Sequence, residues 1–310
     1  MSTPEAQREL PEGAQEAPAA TQDGDQGEAQ RGTGVTVQRV PWSVLGPEFA
    51  AVWGRADPGN PQPEHVEIIG MNGSGKTYLL MKLLQDRMKV RNSHIVLIVT
   101  KRSDKVFGKL GWPIVREVRE VFKYRVCIFW PQTNLIGRAR KAYHEVRVRE
   151  LLSRLWQPDS NRVVAFDEIA YVESLSPEVK ELVSMYWRES RSNGITVVAM
   201  KQRPQGVQRD MHSETYWTFA FAPKDHADAE RFAELFGSKR DWLPVFAQMD
   251  PDKHEFLVRH TRSGRAFISW VDEPIRPALP RDNKRSTLAS LGGRSSSRPA
   301  PELDRQAKQA

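Results

Sequence analysis

HVEIIGMNGSGKTYLL, His65 to Leu80, decides the fold. Apolar residues run into Gly70, further glycines follow at Gly73 and Gly75, and Lys76-Thr77 opens a stretch carrying Leu79, Leu80, Leu83 and Leu84 at helical spacing. A strand that breaks into a glycine loop and then a helix is an anion cradle. Glycine lets consecutive amide hydrogens turn inward, and the helix adds the positive end of its dipole. Gly70-Met71-Asn72-Gly73-Ser74-Gly75-Lys76-Thr77 fits G-x-x-x-x-G-K-[ST], the P-loop. In that pattern the loop from Gly70 through Asn72, Gly73, Ser74 and Gly75 holds the phosphates of ATP. Lys76 neutralises the β- and γ-phosphates, and the Thr77 hydroxyl is a ligand for Mg²⁺.

A P-loop hydrolase needs a carboxylate near the metal, from the tip of a neighbouring parallel strand. RVVAFDEIAYV, Arg162 to Val172, supplies one: Asp167 ends an apolar run and is the expected second metal ligand. Glu168, adjacent and without a metal duty, is the candidate for orienting and deprotonating the attacking water. A water-activating Glu beside the metal carboxylate serves a hydrolase and not a small-molecule kinase, so ATP hydrolysis is the expected reaction.

Around these motifs strand-like and helical runs alternate, the signature of an α/β fold with a mostly parallel sheet flanked by helices. Strands are predicted over Val66–Ile69, Ile95–Thr100, Tyr124–Trp130, Arg162–Phe166, Ile195–Met200 and Tyr216–Phe221. Helices are predicted over Lys76–Val90, Gly137–Trp156, Pro177–Arg191 and Asp225–Phe236. Glu255–His260 and Arg265–Trp270, joined by TRSG, read as a C-terminal β-hairpin added to the sheet. The expected organisation is an acidic disordered arm over 1–34, a strap or short helix over 35–63, an ATPase domain over 64–275 and a flexible basic tail over 276–310.

The strand from Ile195 should lie beside the one carrying Asp167, and it ends in Lys201-Gln202-Arg203-Pro204. Arg191, then Gly194-Ile195, then an apolar strand closing in Gln202-Arg203-Pro204, after a P-loop and an apolar-Asp-Glu strand, resembles the HerA/FtsK superfamily of DNA-pumping ATPases. The resemblance covers roughly Glu64 to Gly237, the motor core alone, and Lys201 stands where that family commonly has Thr or Ser. It implies a RecA-like P-loop NTPase core assembling as a homo-oligomeric ring, a hexamer, with Gln202 as the sensor of the γ-phosphate. It also implies an arginine supplied by a neighbouring subunit, for which Arg191 and Arg188 are the candidates, with Arg203 behind them.

Composition bounds the partners. The N-terminal 34 residues carry a net charge of −5 and the C-terminal 35 a net of +5, so the middle keeps the whole excess of +7. A basic folded region suits a polyanion such as DNA. Lys101 to Trp112 is the first candidate for a DNA-gripping loop and Arg203 to His212 the second. The basic helix from Gly137 reads as a solvated face or subunit contact, with Ala142, Tyr143, Val146, Leu151, Leu152 and Leu155 as its buried stripe. The single cysteine, Cys127, excludes an intramolecular disulfide. No apolar run reaches the roughly 18 residues of a membrane span, and no signal-peptide pattern opens the chain, so a cytoplasmic protein is expected, or one in a host cytoplasm if virus- or plasmid-borne. The reading is an ATP-hydrolysing DNA translocase or packaging motor. Its rival is a nucleotide-switched assembly or morphogenesis ATPase that does not act on DNA, and a terminase with an integral nuclease ranks last.

Overall fold

In the computed structural model, residues 35–53, 63–90, 92–202 and 209–284 are described. The predicted arm over 1–34, the tail beyond 284 and the Arg203–Pro204 positions lie outside them. The chain opens with strand β1 (Gln38–Arg39) and helix α1 (Trp42–Trp53), then β2 (His65–Ile69), α2 (Lys76–Met88), β3 (His94–Ile98) and β4 (Ile114–Val115). It continues through α3 (Val118–Val121), β5 (Val126–Phe129), α4 (Gly137–Leu155), β6 (Arg162–Phe166), α5 (Ile169–Glu173) and α6 (Pro177–Glu189). It closes with β7 (Ile195–Lys201), α7 (Arg209–Glu214), β8 (Thr215–Phe221), α8 (His226–Leu235), α9 (Lys239–Ala247), β9 (Phe256–His260) and β10 (Ala266–Ser269).

All ten strands share one sheet in the order β1-β10-β9-β8-β2-β7-β6-β3-β5-β4. Every pairing is parallel except β8 with β9 and β9 with β10, so the predicted hairpin extends an otherwise parallel sheet past β8. Side chains alternate faces along each strand. Val66, Ile68, Ile95, Leu97, Val163 and Val198 join the core under α1 and α2. Val96, Ile98, Val164, Phe166, Val197 and Ala199 join the core under α4 and α6 on the other face. There, α8 and α9 cover a separate apolar cluster on Ile69, Ala220 and Leu257. Between the two clusters runs a polar seam: Glu67 pairs with Lys201 at 3.0 Å and His212 at 3.1 Å, and accepts from the Thr218 hydroxyl at 2.9 Å.

The segment expected as a strap or short helix forms α1, with Trp42, Leu45, Phe49 and Trp53 buried at helical spacing. Two expectations need correcting. Residues 276–284, assigned to a flexible tail, lie along the core: Gln85 donates to Arg276 O at 2.6 Å, Trp112 Nε1 to Ala278 O at 2.9 Å, and Arg125 N to Asn283 O at 2.8 Å. On α4 the buried stripe is His144, Val148, Leu151, Leu152 and Leu155, while Val146 is 53% exposed. The stripe is displaced because His144 finds partners in the interior, Tyr171 Oη at 3.0 Å and Pro131 O at 3.1 Å. A histidine whose two nitrogens are both bonded is no longer costly to bury.

Candidate functional site: a nucleotide pocket at the strand ends

β2 gives way to the glycine loop at the carboxyl end of the sheet, where ligands of open α/β folds bind. A Cβ on Gly70 would come within 2.7 Å of Phe221 Cβ, so only glycine lets the loop pass so close to β8. Gly75, with φ +103°, caps α2 in the left-handed region and turns the chain into the helix. The loop is tied to the neighbouring strand by Gly70 N donating to Lys201 O at 3.2 Å. Lys76 Nζ donates to the carbonyls of Gly70 and Met71, the latter at 2.7 Å. Burial pulls its pKa down to about 8, so a bound anion is the natural stabiliser of its charge.

Asp167 follows β6 directly, its amide donating to Ile98 O at 3.1 Å. The residue is 2% exposed and burial raises its pKa to about 6 against the opposing pull of Lys101, whose ammonium lies 3.0 Å from Oδ1. Oδ2 is buried with no hydrogen-bond partner. That orphaned oxygen, with Thr77 in the same cavity, fits a magnesium ion completing its shell from phosphate and water. Among the described residues no cluster of three or more His, Cys, Asp or Glu could hold a metal by itself. Glu168, at the N-cap of α5, accepts from Gln202 Nε2 at 3.0 Å. Burial raises its pKa, against Gln202 and the charge of Lys76, which makes it a stronger base.

The structure therefore brings Lys76, Thr77, Asp167, Glu168 and Gln202 to one cavity of about 400 Å³. It does not bring the two arginines. Arg191 lies past the opposite end of β7, where Nε donates to Pro63 O at 3.0 Å, an Nη to Tyr216 Oη at 2.7 Å, and the guanidinium covers the Tyr216 ring at 4.4 Å. The seven residues of β7 separate it from Gln202 by roughly 20 Å. Arg188, at the end of α6, pairs with the exposed Glu181 at 3.0 Å. Neither reaches the pocket of its own chain.

Two residues of this pocket were misassigned or missed. Lys101, placed by its sequence neighbours in a DNA-gripping loop, sits on Asp167; Phe107 and Trp112 of the same stretch are buried in the core, leaving Arg102, Lys105 and Lys109 exposed. The aromatic residues anchor that loop instead of displaying it, because their burial outweighs any exposed role. His254, with φ +53°, donates from Nδ1 to Ser74 O at 3.2 Å and borders the loop beside Gly75. A histidine in a polar turn 180 positions away gave no signal in the sequence.

Neither a protein-family model nor a curated protein sequence matches the chain. Among solved structures, the genome packaging NTPase B204 of Sulfolobus turreted icosahedral virus 2, in complex with sulfate, superposes with a TM-score of 0.50. The two share 13% identity over 70% of this chain and 97% of that one. The chain has a P-loop NTPase fold. The cytoplasmic domain of the type VII secretion ATPase EccC of Thermomonospora curvata superposes with a TM-score of 0.48, 16% identity, 72% of this chain and 27% of that one. The pCW3 conjugation coupling protein TcpA with ATPγS gives 0.43, 14%, 67% and 61%. The likeness expected from the three motifs is thus met at the level of the P-loop NTPase fold, and B204 carries it. No helix among the described residues of the chain is long and apolar enough to cross a membrane.

Proposed function

We propose that this chain is an ATP-hydrolysing motor that moves DNA, acting as a ring of identical subunits. The observation that carries the reading is the convergence of Lys76, Thr77, Asp167, Glu168 and Gln202 on one cavity at the strand ends. On ATP binding, Lys76 exchanges the carbonyls of Gly70 and Met71 for phosphate oxygens, which are the better acceptors for an ammonium. Thr77 and Asp167 would hold Mg²⁺, which would supply charge neutralisation on the phosphates. Glu168 takes a proton from the attacking water as its oxygen bonds to the γ-phosphorus and the bond to the β–γ bridging oxygen breaks, giving ADP and phosphate. Gln202, bonded to Glu168 and sitting at the end of the strand that also ties down Gly70, is placed to register the loss of the γ-phosphate.

DNA is supported by the basic middle of the chain and by Arg102, Lys105 and Lys109 on the rim beside the pocket. The subunit-bridging arginine belongs to this proposal too. Arg188, 45% exposed at its side chain, is better placed than Arg191 to reach a neighbouring copy. ATP turnover by the full chain, measured with and without duplex and single-stranded DNA, tests the reading. Stimulation by DNA that falls steeply with salt is expected; turnover indifferent to any DNA leaves the nucleotide-switched assembly ATPase in its place.

A further inference from the structure

Lys101 and Lys109 both line the pocket outside the P-loop pattern, and Lys101 is the one that pairs with Asp167. It extends from the loop after β3, between β5 and β6, and its backbone is fixed by Trp130 Nε1 donating to Lys101 O at 2.7 Å. The ammonium has two acidic neighbours on different elements: Asp167 at 3.0 Å and Asp104 at 3.4 Å. Asp104 is itself held in place by accepting from Val106 N at 2.6 Å, and the Phe107 ring lies 5.7 Å beneath the ammonium. The side chain is 40% exposed, so it is free to pivot on the Asp104 side. An ammonium on Oδ1 and a divalent ion on Oδ2 of the same carboxylate would repel one another across a few ångströms, about the width of the group. When Asp167 turns to the metal, Asp104 keeps Lys101 at the mouth of the cavity that also holds Lys76, Glu168 and Gln202.

Resting on the ATPase reading, we infer that Lys101 is a second phosphate-facing cation, which guards Asp167 in the resting pocket and contacts the terminal phosphate once metal and triphosphate are bound. It is a residue that distinguishes ATP from ADP. A purely structural Lys101 would balance the buried Asp167 and treat both nucleotides alike.

Calorimetric binding of ADP and of the β,γ-methylene analogue of ATP to the full chain, each with Mg²⁺, separates the two. Lys101→Met should weaken the triphosphate about tenfold while changing ADP less than about twofold, the loss expected for one charge-assisted contact. Lys101→Arg should restore most of the difference, and Asp104→Asn should reproduce part of it. An unchanged ratio of triphosphate to diphosphate affinity in Lys101→Met overturns the inference, as does equal weakening of both. Should Lys101→Met fail to fold, an unchanged ratio in Asp104→Asn overturns it instead. Wild-type protein that binds the diphosphate and triphosphate normally keeps the ATPase reading intact whatever the variants do; wild type that binds neither removes both.

Discussion

The two rims of the sheet carry the same kinds of side chain to different ends. At the rim where the strands finish, Lys76 rests on loop carbonyls, Asp167 keeps a buried oxygen unbonded, and Lys101 divides itself between two acids. At the rim where they begin, one cluster of polar groups is closed on itself. Glu64 accepts from Trp217 Nε1 at 2.6 Å and from His260 Nε2 at 3.3 Å, the Trp217 and His260 rings stack at 4.4 Å, and Arg191 is closed against Pro63 and Tyr216. Unfinished bonding is a cost in a folded protein, and at Asp167 it lies where a ligand can finish it. The first rim is built for exchange and the second for cohesion.

Three substitutions break or sharpen that contrast. The largest effect belongs to Glu168→Gln, which should lower ATP turnover by about a hundredfold or more while leaving nucleotide affinity and melting temperature near wild type. Turnover within a few fold of wild type would remove Glu168 as the base. At the other rim, Arg191→Ala should cost about 2 kcal/mol of stability through two lost hydrogen bonds and a cation–π contact, with turnover per folded subunit retained. The opposite result, full stability and lost turnover rescued by mixing with wild-type subunits, would make Arg191 the bridging arginine after all.

The smallest effect tests a group at neither rim. Glu173, buried at the end of α5 with Oε1 unbonded, has its pKa raised to about 7 by burial, against Lys180 and Lys201. A carboxyl whose folded pKa lies above its unfolded value releases its proton more readily on unfolding. Stability from this group therefore falls as pH rises from about 4.5 to about 7 and stays level above. Glu173→Gln should melt higher than wild type at pH 8 and match wild type at pH 4.5. Identical melting difference at both pH values would show that Glu173 finds a partner in solution.

Much of the architecture was legible because it is local. Alternation along β3, β6 and β7 wrote two buried faces into the residues themselves, whereas Trp42, Leu45, Phe49 and Trp53 left a strap or a short helix open, and packing on the sheet made it a helix. Where periodicity misled, on α4, the error came from treating His144 as polar when its bonded interior position makes it core. The tail from Arg276 to Asn283 was illegible for another reason: its carbonyls and the side chains of Asp282 and Asn283 meet partners 157 or more positions away.

The glycine loop, the acid pair and the strand that ends at Gln202 were legible in the chain's order, since a strand, a tight turn and a helix are short-range structures set by backbone freedom and side-chain period. Tertiary structure decided the company they keep. Asp167 meets Lys101 across 66 positions and Ser74 meets His254 across 180, and Arg191 is carried to the far rim, because the sheet interleaves strands distant in sequence. Hydrophobic burial chooses that interleaving over the whole chain at once, and no window of residues contains it.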